Sequence, residues 1–152
     1  MERICITRAD GGVSIMEITD KANLAEEIAL WSDLAAPGEE YVSHVLIDSK
    51  DLPERTFRNA WTHDGEAVVV DMVKAREILT DKLAQTRQEV INSLPAMIDA
   101  ALMRGENTSA LKHRLRELQR MNLVEFRNKV HRARTPEDLL ALWPRDLLPE
   151  MD

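Results

Sequence analysis

The chain has one cysteine, Cys5, among 152 residues, so no disulfide can form within it. A reducing compartment fits that usage. Only five glycines are present. No Walker loop, dinucleotide fingerprint or Gly-x-Ser-x-Gly elbow occurs, and a phosphate-cradling loop has nowhere to sit. Aromatic residues make up 4% of the chain, too few for the interleaved stacking platform that single-stranded nucleic acids use. No apolar run approaches the roughly 20 residues a membrane helix needs. Met-Glu-Arg-Ile-Cys-Ile at the start lacks the basic stretch and long apolar core of a signal peptide. The four histidines, His44, His63, His113 and His131, do not pair with each other or with Cys5 at zinc-ligand spacing. We therefore expect no metal, no cofactor and no catalytic residue. The adjacent carboxylates Glu26-Glu27 and Glu39-Glu40 read as solvated faces, because neighbours on a helix point about 100° apart.

What remains is ordinary for a folded protein: 44% apolar and 31% charged residues. A chain this long buries about 68–70% of its unfolded surface. Acids outnumber bases 27 to 20, for a net charge of -7, which opposes general nucleic-acid binding unless the bases are segregated. They are segregated. Residues 1–70 hold 6 bases and 14 acids, a balance of -8; residues 71–152 hold 14 and 13, a balance of +1. The local pattern changes at the same point, which divides the chain into a β-rich head, 1–70, and a helical arm, 71–152.

Arg3 to Arg8 and Val13 to Ile18 flank Ala9-Asp-Gly-Gly, a hairpin signal. A helix should follow, with Asn23 as N-cap, Glu26 three residues on, and Leu24, Ile28 and Trp31 at helical spacing. Pro37-Gly38 ends it. Tyr41 to Ile47 reads as a buried strand. A second hairpin is expected from Phe57–Trp61, the turn Thr62-His-Asp-Gly65, and Val68–Val70. Met72 to Leu94 is a helix, capped by Asp71 and kinked or restarted at Pro95. It should reach Arg104-Gly105. Asn107-Thr-Ser starts a second helix through Leu111, Leu115, Leu118 and Met121, with continuation to Val130 open. Thr135-Pro-Glu-Asp starts the last, ending at Pro144. The fold class is α+β: a small head with one helix, then a helical hairpin or arm whose apolar stripe a partner would cover.

The segment Lys112 to Arg134 carries eight bases against Glu117 and Glu125. Three readings are open: a nucleic-acid stripe, a solvated helix face, or an electrostatic contact with an acidic protein surface such as the head of the same or another copy. Arg114, Arg116 and Arg120 are the candidate partner-binding residues. Trp143, near the C-terminus, is the candidate docking anchor, since tryptophan favours interfaces; Trp61 is assigned to the core. Met97, Met103 and Met121 are either ordinary core or an adaptable apolar stripe.

The order of motifs runs Asp10-Gly-Gly-Val-Ser, Asp51-Leu-Pro-Glu-Arg-Thr-Phe-Arg-Asn-Ala-Trp61, Asp64-Gly, Val70-Asp-Met-Val-Lys-Ala-Arg-Glu-Ile78, then Thr135-Pro-Glu-Asp-Leu and Leu142-Trp-Pro144. From about residue 3 to residue 144 it resembles small proteins of the tail-gene region of tailed phages and prophages. The layout of β-rich head, long helix, second helix and terminal Trp-Pro is also similar to tail-fibre assembly proteins of lambdoid phages, apart from the basic second helix here. The resemblance implies a non-enzymatic tail-module protein without cofactor. Its partners would be tail or tail-fibre proteins, in an oligomer or hetero-complex; the acidic total disfavours nucleic acid, and no membrane is expected. Three roles follow as expectations. The first is a structural subunit of the virion tail (tip, fibre base or neck), assembled in the host cytoplasm. The second is a fibre-assembly chaperone that stays in the host cytoplasm. The third is a nucleic-acid-associated regulator.

Overall fold

A computed structural model describes residues 1–19 and 21–151. The architecture is α+β, a small β head followed by a helical part. The chain divides into two compact units, Met1–Asp71 and Met72–Asp152.

The head is built on β1 (Glu2–Arg8), β2 (Val13–Glu17) and β3 (Tyr41–Asp48), an antiparallel sheet in the order β2-β1-β3. Between β1 and β2 the turn closes by Arg8 N–H to Gly12 O at 2.9 Å. Gly11 there has φ 84°, a conformation that favours glycine. Ile4, Cys5 and Ile6 of β1 are all fully buried. A central strand covered on both faces carries a continuous apolar run instead of an alternating one. The helix α1 (Leu24–Leu34) follows a 3-10 turn, Lys21–Asn23. Asn23 precedes it with φ -108° and makes no side-chain capping bond, so the expected capping box does not form.

The second hairpin is shorter than its sequence implies. Arg55–Ala60 forms 3-10 turns, not strand, and only β4 (Trp61–His63) and β5 (Val68–Val70) pair. Glu54 accepts from Thr56 through both backbone and hydroxyl, which starts the tight coil and buries Phe57 and Ala60. The turn is held by Asp64, whose Oδ1 accepts from the backbone N–H of Glu66 and Ala67 at 2.8 and 2.9 Å. This hairpin gives the head its core: Cys5, Val13, Trp61 and Val68, ringed by Ile15, Ile47, Leu52 and Val70. Trp61 is thus a core residue.

The helical unit is organised along α2 (Met72–Met103). Its buried residues Ala75, Leu79, Leu83, Thr86, Leu94, Ile98 and Ala101 recur at helical steps. The helix runs through Pro95 without restarting; Leu94 and Ile98, buried on either side of the missing N–H, hold it in place. Beyond Met103, Gly105 N–H bonds to Leu102 O and Glu106 N–H to Ala101 O, the paired bonds of a Schellman stop. Gly105 has φ 71°.

Three shorter helices pack on α2: α3 (Ser109–Arg120), α4 (Leu123–Arg132) and α5 (Pro136–Ala141). The helix beginning near Ser109 therefore does not continue to Val130. It breaks at Met121–Asn122, where Asn122 turns extended and its side chain caps α4 by accepting from Glu125 N–H at 3.0 Å. Thr135 caps α5 through Asp138 N–H, with Pro136 in the first turn. Two arginines of α2 satisfy the open C-terminal carbonyls. Arg87 Nε donates to Leu118 O of α3 at 2.9 Å, and Arg76 donates to Ala133 O after α4 at 2.8 Å. A cation at a helix C-terminus also complements the helix dipole.

Candidate functional site

The four candidate partner-binding residues separate into two pairs. Arg116 and Arg120 of α3 are exposed, one turn apart on a single face, and Lys112 continues that stripe. Arg127, Arg132 and Arg134 are exposed on α4 and the link to α5. Within this basic segment, Lys129 pairs with Glu125 at 3.4 Å.

Arg114 and Trp143 are spent inside the helical unit. Arg114 is half-buried and its Nε donates to Leu147 O at 2.7 Å. Trp143 is 3% exposed, and its indole Nε1 donates to Pro149 O at 2.9 Å. Together they fasten the C-terminal segment, whose Leu148 is buried. The expectation of Trp143 as a docking anchor is corrected accordingly. An indole needs a large apolar enclosure and one acceptor, and this unit supplies both.

Beside α4 lies a cleft of about 340 Å³. Met121, Phe126, Leu142 and Pro144 form its apolar wall, with Glu125 and Lys129 on the polar side. Of the three methionines singled out in the sequence, Met121 lines this cleft, while Met97 and Met103 are exposed on α2.

In the head, β3 pairs with β1 on one side only and is an edge of the sheet. The strand is largely exposed, which overturns the buried strand expected from its composition. Val42, Val45 and Leu46 are 57%, 41% and 45% exposed. Val45 stands opposite Cys5 and Leu46 opposite Ile4 in the register, so apolar side chains emerge on both faces. Natural edge strands are usually blunted by lysine, proline or a bulge. From Tyr41 to Ile47 this strand has no lysine, proline or acid; the ladder's one irregularity lies where Arg8 meets Tyr41. Leu30 and Leu34 of α1 are also exposed. Sequence reasoning missed this edge, although Ser43-His44 inside the apolar run was a signal against full burial.

Burial raises the Cys5 thiol above its usual pKa. Asp64 is held below the usual carboxylate range by the Ala67 and Glu66 N–H groups, and Asp48 by the Lys50 N–H. These are turn-forming carboxylates. Among the described residues no group of three or more His, Cys, Asp or Glu side chains could hold a metal ion, and no helix is long and apolar enough to cross a membrane. No family, curated protein or solved structure matches the chain.

Proposed function

We propose that this is a non-enzymatic protein of the tailed-phage tail module that works through protein–protein contacts, as a structural or accessory subunit of the virion tail. The observation that carries the reading is the open apolar edge β3. An edge strand whose Tyr41–Ile47 run holds no acid, lysine or proline accepts an added strand from a partner, where main-chain bonds give affinity and side chains on alternate faces give register. The partner we assign is an extended segment of another tail protein. The basic face at Arg116 and Arg120 supplies a second contact, complementary to acidic protein surface. The site would be the tail tip, fibre base or neck, reached after assembly in the host cytoplasm.

Exposed Met97 and Met103 and the Met121 cleft favour a second reading, a tail-fibre assembly chaperone that leaves before maturation. Methionine adapts to varied apolar clients. Quantitative mass spectrometry of purified particles separates the two. A fixed integer copy number relative to the tail-tube protein supports the subunit. Presence in the lysate but absence from particles rejects the subunit and leaves the chaperone. Lysate retention by nucleic acid alone would reject both.

A further inference from the structure

A second feature of the head is independent of the β3 edge. A cavity of about 360 Å³ opens where β1, β2, the turn after β3 and the 3-10 segment meet β4. Val13, Ile15 and Leu52 give it an apolar wall, and Arg3, Arg55 and Arg58 also line it. No acidic residue is among its lining residues. Three of the six bases in a head of balance -8 thus converge on one cavity.

Two of the lining residues also carry donors sealed from solvent without an acceptor. Arg3 Nε and Trp61 Nε1 have no hydrogen-bond partner, and Trp61 is 6% exposed. Glu17 meets only the terminal nitrogen of Arg3, at 3.2 Å. Arg55 and Arg58 form no ion pair among the described residues. Arg55 and Arg58 therefore offer the cavity guanidinium forks, which bind carboxylate and phosphate through paired bonds. The volume lies at the small end of ligand cavities, room for one ring or a short chain against Val13, Ile15 and Leu52.

We infer that this cavity is a binding site for a small organic anion, a carboxylate or phosphate monoester carrying a compact apolar group. The anionic end meets Arg55 and Arg58, and the apolar end lies on the aliphatic wall beside the Trp61 ring. The head then holds a ligand site whether or not the chain acts in a phage tail.

The test is an NMR titration of the full chain with phenyl phosphate, benzoate and neutral benzamide, following the assigned Trp61 indole N–H. Either anion should shift that resonance saturably, and benzamide should not. The tighter anion distinguishes a phosphate ligand from a carboxylate. Arg55→Gln and Arg58→Gln, both at exposed positions, should each weaken binding by about tenfold, a loss of one charge-assisted contact, while melting as the wild type does. The inference is overturned if neither anion moves the indole resonance by about 10 mM. It is equally overturned if benzamide binds as well, or if both folded variants titrate like the wild type.

Discussion

Single side chains in this protein do work that their residue type does not announce. Trp143 and Arg114 close the helical unit over its own C-terminal segment. Trp143→Ala should therefore lose about 3–5 kcal/mol of stability in urea unfolding, the range for removing a buried large aromatic. A loss below about 1 kcal/mol would return Trp143 to the surface. The exposed pair behaves differently. Arg116→Glu with Arg120→Glu should stay within about 0.5 kcal/mol of the wild type and weaken partner capture; a much earlier melt would make these arginines folding elements. Asp64 gives a pH dependence. Its folded pKa lies below the ordinary value of about 3.9, so its contribution is full above that value and is lost as pH falls through the folded pKa. The melting-temperature gap between wild type and Asp64→Ala should be large near about pH 6 and shrink below about pH 3. A gap independent of pH would mean that the carboxylate's charge is not what holds the turn.

At the level of elements, the sequence was readable where punctuation and period agreed. Asp10-Gly-Gly marked the first hairpin, the helical steps from Met72 to Leu94 marked α2 as far as Pro95, and Thr135-Pro-Glu-Asp marked α5. It failed where one pattern served two structures. Val124, Phe126 and Val130 of α4 prolong the apolar pattern of Leu111, Leu115, Leu118 and Met121 past the α3–α4 break, so apolar pattern could not reveal it. The signal was Asn122 followed by Glu125, a capping arrangement. Phe57 and Ala60 are buried and looked like strand, but the Glu54 cap winds them into 3-10 turns. β3 has strand composition without strand burial, because composition reports pairing and not what lies over each face. Of the candidate site, Arg116 and Arg120 were legible as charge. The arginine cavity was not, since it joins residues from position 3 to position 61. The capping bonds carry a prediction of their own. Asn122→Ala should cost about 1 kcal/mol. Arg87→Ala should cost about 1.5–3 kcal/mol through the lost charged bond to α3. Urea midpoints equal to wild type for both would show that α3 and α4 are placed by apolar packing alone.

For the whole molecule, charge and exposed apolar surface are divided between two units. An acidic head carries the open strand β3 and a cavity rich in arginine, and a near-neutral helical unit carries the basic face. On the proposed reading, the β3 edge is the main contact of this chain with other tail proteins. The most direct measurement is the copy number, in purified particles, of wild type and of Val45→Lys, a change that puts a charge on the strand edge and opposes pairing. The expected result is a fixed integer count for the wild type and a loss of at least about tenfold for Val45→Lys, with the variant still folded in the lysate. Equal counts for the two proteins, or no wild-type chain in the particle, would contradict it.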